Sequence, residues 1–287
     1  MLALAALVCF AALDTTAQFV SAAGVPVLMA LWLRYVFQAL SATAMVMPQR
    51  GWAAFRTEHP RFQLLRGILL AASSALAFLS LKYMPVSEFT AVVMITPIVV
   101  TLFAATTLGE RVSPLRWLLV LGGFAGVMVI LRPSREDFNW TLLLPLALVA
   151  ANAWFQVLTS KLARLENPTT MQLYSGWVGL GLTTLALPFA WASVSGWQIW
   201  TALLFMGFIA TVGHFLFIQA YAAAPAATLT PYLYAQIVFA TLGGWLVFSY
   251  VPDQVSMLGM LLIGVCGALS AWLTRLETRV VPEPVES

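Results

Sequence analysis

Residues 84–111 read MPVSEFTAVVMITPIVVTLFAATTLGER, and 86–107 form a nearly unbroken apolar run, with Glu88 near its start and Pro97 at its middle. A run of that length suits one crossing of a bilayer, whose hydrocarbon core takes about 20 helical residues. The same reading recurs near 2–22, 27–47, 63–82, 115–131, 139–160, 169–190, 198–221, 226–248 and 254–274. Ten spans of usual length occupy about two-thirds of the 287 residues. Short connections and a brief polar tail from Arg275 take the rest.

Composition points the same way. The chain is 61% hydrophobic and 9% charged, with a mean hydropathy of +0.91. A soluble domain carries roughly 25% charged residues, so too few charges exist here to build a water-facing surface. Soluble-enzyme, disordered, fibrous and nucleic-acid-binding classes are excluded, despite a net charge of +3 and a pI near 9.1. We expect an all-α polytopic membrane protein surrounded by the lipid bilayer. It has no room for a soluble catalytic domain, and no metal or cofactor is expected.

Local signals place the span ends. Ser113-Pro114 and Asn167-Pro168 each set a capping side chain before a proline at the first helical position, and Asp253 can cap the last span. Trp52, Trp117, Trp140, Trp191, Trp197 and Trp200 fall near predicted ends, as an interfacial aromatic belt does. Cys9 and Cys266 lack metal or disulfide spacing and read as small buried hydrophobes. The first span has no basic flank and no small-x-small cleavage site, so we read it as part of the fold rather than a leader. Arg50, Arg56, Arg61, Arg66, Arg111, Arg116, Lys161, Arg164, Arg275 and Arg279 collect on the side of the termini, against Lys82, Arg132 and Arg135 opposite. That bias predicts both termini in the cytoplasm.

A repeat runs across the halves. Shifting the chain by 140 places Gly67 on Gly207, Pro85 on Pro225 and Thr90 on Thr230; a shift of 138 places Asp14 on Asn152 and Gln18 on Gln156. Five spans per half is an odd number, so the second copy inserts upside down. Inverted repeats are a common construction of secondary transporters, with the solute site between them. The expected units are 1–135 and 136–275, each a five-helix repeat, around a central cavity, followed by a cytoplasmic tail at 276–287.

The run Met84-Pro85-Val86-Ser87-Glu88-Phe89-Thr90, continued by Thr96-Pro97-Ile98 and Leu108-Gly109-Glu110-Arg111, resembles the EamA-type drug/metabolite transporters, as does Leu33-Arg34-Tyr35. The likeness covers essentially the whole chain. Within the superfamily the nearest look is to YddG-type exporters of bacterial inner membranes. That resemblance implies export of aromatic amino acids and similar metabolites through a central cavity. The second half departs from the pattern, with Ser249-Tyr250 where the first has Gly109-Glu110.

Polar residues within spans are costly, about 2.5–3.5 kcal/mol for an ionisable group at a helix centre, and so mark function. Asp14 and Gln18, Asn152 and Gln156, and Tyr232 and Gln236 are i, i+4 pairs sharing a helix face. We take Gln18, Asn152, Trp154, Gln156, His214, Tyr232, Tyr234 and Gln236 as candidate substrate contacts. Rings and amides together suit an aromatic, zwitterionic solute. Asp14, Arg34 and Glu88 are candidates for structure or proton coupling: Asp14 and Arg34 can pair with each other, or Arg34 can meet a substrate carboxylate. Glu88 can also cap span four. Pro97 and Pro231 are candidate hinges. Gly122-Gly123-Phe124-Ala125-Gly126 holds a GxxxG face, matched loosely by Gly264 and Ala268, and reads as helix packing.

Two other classes were weighed. An intramembrane serine enzyme would need Ser175 with His214, but the GxSG context is missing. A non-catalytic subunit would need a coupling helix, and the connection from Pro48 to Phe62 reads as a linker. Nothing matches a phosphate loop, so the solute's own gradient or a coupled ion drives transport. The expectation is a monomeric exporter working by alternating access and facilitated diffusion, with proton-coupled export of other neutral metabolites or drugs, or a non-catalytic membrane subunit, as the alternatives.

Overall fold

A computed structural model describes residues 1–107, 113–131, 141, 143–189, 191, 192, 194, 196–224 and 229–280. Glu110, Arg111, Arg132, Arg135, Trp140 and Pro225 lie outside the described residues, as do the side chains of Glu88, Arg116, Pro231, Arg275 and Arg279. The regular elements are helices: α1 (Leu2–Ala22), α2 (Val27–Arg50), α3 (Pro60–Tyr83), α4 (Val86–Val93), α5 (Thr96–Thr107) and α6 (Pro114–Leu131). They continue with α7 (Leu143–Leu162), α8 (Pro168–Ala186), α9 (Trp197–Ala223), α10 (Ala235–Phe248) and α11 (Gln254–Val280). Tight 3-10 segments occupy Gly51–Phe55, Leu187–Phe189 and Thr230–Tyr234. Helices α1, α2, α3, α7 and α9 are each long and apolar enough to cross a membrane. The outer surface is apolar as well: Leu118, Leu246 and Leu261 are 64%, 72% and 64% exposed. Lipid accepts such a surface and water does not. The chain is an all-α polytopic membrane protein.

The expected fourth span is two helices. Pro97 has no N–H for the carbonyl four residues back and disfavours helical backbone just before it, so α4 stops at Val93 and α5 starts at Thr96. Between them the Ile95 N–H donates to the Val92 carbonyl at 3.0 Å, one tight turn. The ninth crossing also begins irregularly, with Pro231 in the first turn of Thr230–Tyr234 before α10. The last helix runs past Arg275 to Val280, so the expected polar tail is helical that far. Two of the three expected caps form: Asn167 Oδ1 accepts from the Thr169 N–H at 2.9 Å, and Asp253 Oδ1 from the Ser256 N–H at 2.8 Å. The Ser113 hydroxyl instead lies buried without a partner among the described residues, and its carbonyl takes the Trp117 N–H.

Small residues set the closest approaches. A β-carbon at Gly176 would come within 2.9 Å of Ala39 Cα, and one at Gly179 would run into the buried Tyr35 ring, so α8 lies tight on α2. Gly122 and Gly126 face α11 at Cys266 and Gly259, whereas a β-carbon on Gly264 would meet nothing within 4 Å. Cys9 and Cys266 are buried free thiols. The partnerships recur on exchanging the halves: α1 packs on α9 as α7 does on α3, and α2 on α9 as α8 does on α3. The repeat-matched glycines behave alike. A β-carbon on Gly67 would meet Val178 of α8 at 2.7 Å, and one on Gly207 would meet Phe37 of α2 at 2.6 Å.

At one end of the bundle a single carboxylate oxygen ties the halves. Glu166 Oε1, in the α7–α8 connection, accepts from Thr57 Oγ1 at 2.6 Å and from the Glu58 N–H, His59 N–H and His59 Nδ1 at 3.1 Å each. Thr170 and Tyr174 of α8 add bonds to the carbonyls of Ala54 and Phe55. Burial alone would raise the Glu166 carboxyl, but the bonds from Thr57 and His59 outweigh it and hold the group below the ordinary glutamate value of 4.5. A depressed carboxylate stabilises the fold above its unfolded pKa and loses that contribution as pH falls through the folded value. The stability difference between wild type and Glu166→Gln in detergent is therefore expected at neutral pH and shrinks on acidification below about pH 4. Thermal unfolding across pH measures it. Gly179→Leu should cost roughly 1–3 kcal/mol by overpacking against Tyr35, lowering the melting midpoint. Gly181→Ala, which meets open space, should leave the midpoint unchanged.

Candidate functional site

The cross-packed helices enclose a cavity whose walls come from α1, α3, α4, α7 and α9, with Arg34 from α2, Leu233, and Gln236 from α10. Asp14, Ser74, Asn152 and His214 each stand near the middle of their helices. The space open to the centre of a water molecule is about 110 Å³, room for several waters.

Polar groups line it in bonded sets. On α7, Gln156 Nε2 donates to Asn152 Oδ1 at 3.1 Å, one turn apart as the helical period dictates. Gln156 Oε1 in turn accepts from the Tyr221 hydroxyl at 2.8 Å. Asp14 of α1 accepts from Gln236 Nε2 at 3.1 Å, which joins the first helix to the tenth. His214 Nδ1 bonds the Ala210 carbonyl at 2.8 Å, and a carbonyl only accepts, so Nδ1 carries the hydrogen and Nε2 is left as an acceptor. Ser74 donates to the Leu70 carbonyl and takes the Tyr35 hydroxyl at 3.1 Å, whereas the buried Ser73 hydroxyl on the cavity wall has no partner among the described residues.

Aromatic rings complete the walls. Phe10, Phe78, Phe89, Phe155 and Phe217 line the cavity. Phe10 meets the His214 imidazole edge-on at 4.9 Å and the Phe217 ring at 5.5 Å. Phe155 lies under the Arg66 guanidinium at 5.4 Å. Rings at these separations form an edge-to-face cluster, which leaves ring faces and edges for a flat guest.

Of the residues read from sequence, Asp14, Arg34, Asn152, Gln156, His214 and Gln236 line this cavity, and four others do not. Trp154 is 46% exposed and packs on Phe103 at 4.8 Å, two residues round the helix from the Asn152–Gln156 face. Gln18 accepts from the Val86 N–H at 3.2 Å and serves the first turn of α4. Tyr234 is buried near Gly123 of α6, and Tyr232 is half-buried away from the cavity. Asp14 and Arg34 form no contact ion pair, as no carboxylate oxygen among the described residues lies within 4.0 Å of Arg34. Arg66, read from sequence as a flanking charge, is fully buried in α3 because the helix begins at Pro60. Its Nη1 donates to Ser175 Oγ at 2.8 Å and its Nη2 to the Met171 carbonyl at 3.0 Å. Ser175 thus answers Arg66 and Met171 and makes no bond to His214. The phenylalanine walls went unread, although Phe10 stands four residues before Asp14 and Phe217 three after His214, spacings that share a face.

The EamA-like transporter family matches residues 1–132. The riboflavin transporter of Vibrio cholerae is 33% identical over 79% of this chain and 75% of its own length. The S-adenosylmethionine uptake transporter of Rickettsia felis is 27% identical over 81% and 78%. A crystal structure 21% identical superposes with a TM-score of 0.74, covering 95% of this chain and 98% of the other, which speaks to fold alone. Identity at one residue in three across three-quarters of a relative's length places this chain in the EamA-like transporter family, so it is a multi-pass membrane transporter of small metabolites and not an enzyme.

Proposed function

We propose that the cavity carries a planar aromatic metabolite with polar edges. The observation that supports this reading is one hollow combining five phenylalanine rings with the amides of Asn152, Gln156 and Gln236 and the His214 imidazole. Rings stack on a flat solute, while amides replace the water its edges leave behind. A flavin suits such a site, pairing a broad heteroaromatic ring with amide-like donors and acceptors, and the name of the Vibrio relative favours it. Aromatic amino acids are the second reading, favoured by the Asp14 carboxylate on the same wall, which suits an ammonium group.

Residues 1–135 and 136–275 are taken as the inverted copies, on the strength of their matched helix partnerships and glycine contacts. Two near-equivalent halves give two conformers of similar energy, one open to each side. The interruptions beside Pro97 and Pro231 are the hinges, and the Glu166 junction closes one end in this conformer. The basic bias survives removal of Arg66 from its count and supports cytoplasmic termini, with 276–287 as the tail, in a bacterial inner membrane. One chain holds the whole cavity, so a monomer suffices. Net export follows the solute's gradient, and Asp14, His214 and Glu88 are the groups a proton-coupled alternative would use.

Radiolabelled riboflavin, phenylalanine and tryptophan flux in proteoliposomes tests this reading. At least one aromatic class should move. Asn152→Ala, Gln156→Ala and His214→Ala should each slow it by about tenfold or more, the scale of a lost buried hydrogen bond. Trp154→Ala, outside the cavity, should not. Absence of flux for every aromatic solute, or full activity in all three cavity variants, would overturn the proposal, and uphill accumulation under an imposed pH gradient would replace uniport with proton coupling.

A further inference from the structure

Arg34 carries a charge that no contact ion pair among the described residues answers. The side chain is 2% exposed on the cavity wall, and its Nε and Nη2 are buried with no hydrogen-bond partner among the described residues. These two donors lie side by side on one edge of the guanidinium, the edge that grips a carboxylate or phosphate with two parallel bonds. The described groups around it do not fill that role. Asp14 is near enough to feel the Arg34 charge but makes no contact pair with it and accepts from Gln236, and His214 offers its Nδ1 hydrogen to Ala210. The Tyr35 ring lies 4.9 Å from the guanidinium carbon and bonds Ser74 with its hydroxyl. Arg66, the second buried cation, is satisfied only by a hydroxyl and a carbonyl, so it adds positive charge without offsetting any.

A buried, unpaired guanidinium is expensive, and the cost is relieved when an anion arrives. We infer that Arg34 is the subsite for an anionic group of the transported solute, a carboxylate or a phosphate monoester, so the cargo is charged at that end rather than neutral throughout. The inference rests on the aromatic-carrier reading above and narrows its substrate class. Within the two chemistries named there, it selects the carboxylate of an aromatic acid or amino acid, or a phosphorylated flavin over riboflavin itself. In this conformer the fork is shielded, so the anion reaches it as the cavity widens around its load.

Ring-matched ligands test this without relying on a variant. Purified carrier in nanodiscs is titrated with 3-phenylpropanoate against 3-phenylpropanamide, and with flavin mononucleotide against riboflavin. The anionic member of one pair should bind at least about tenfold tighter, as a charge-assisted bidentate contact gives. The pair that shows the preference tells carboxylate from phosphate. Arg34→Gln should abolish the preference, and Arg34→Lys should keep part of it, since the charge stays and the fork is lost. Equal affinities across both pairs in the wild type, or a preference that survives Arg34→Gln, would overturn the inference. A carrier that binds none of the four refutes the aromatic reading instead, and a non-aromatic arm then decides the subsite. Stabilisation of wild type against heat by succinate or inorganic phosphate, absent in Arg34→Gln, sustains it, and no stabilisation by either refutes it.

Discussion

Hydrocarbon accepts neither a charged side chain nor an open backbone group, and this fold follows from that refusal. Asp14, Arg34, Arg66 and His214 sit on long apolar helices, where each would be intolerable facing lipid. They turn inward together while leucines and tryptophans face out. Enclosure needs helices close enough to shut out lipid yet polar enough to hold water between them. Glycines at 67, 176, 179 and 207 supply the first condition, since a single β-carbon at each would meet a neighbour. The Asn152–Gln156–Tyr221 chain and the Asp14–Gln236 pair supply the second.

The same refusal explains where the backbone is irregular. The break between α4 and α5 and the tight turn at Thr230–Tyr234 fall on the two crossings that contribute Phe89, Val93, Leu233 and Gln236 to the cavity. Interrupted helices are tolerated at membrane depth only where protein or water covers the loosened groups. The Thr90 and Thr96 hydroxyls flanking the break are buried without partners among the described residues, as are both amide atoms of Gln38 and Gln63 on α2 and α3.

Much of this was legible in the residues. Apolar runs of crossing length marked the helices, because the bilayer sets their length directly. The i, i+4 amide pair on α7 was legible because helical periodicity puts 152 and 156 on one face, and they do bond. Periodicity does not say which face meets which neighbour. Trp154 packs on Phe103 outside the cavity, Gln18 accepts a backbone N–H at the start of α4, and Tyr234 sits against Gly123 of α6. Arg66 was counted with the flanking charges although it falls within the 63–82 run, and in α3 it is buried. The phenylalanine walls were hidden by abundance: with 18 in the chain, five near polar residues do not stand out.

The central claim is a wet hollow between the halves, and Ser73 reports on it most directly. Its hydroxyl is buried on the cavity wall with no partner among the described residues. With Cys9 and Cys266 replaced by serine, Ser73→Cys is exposed to a small hydrophilic thiol reagent in native membranes. The account predicts modification that slows when a transported solute is present. A thiol there that stays unmodified, while one at exposed Trp52→Cys reacts readily, would contradict it.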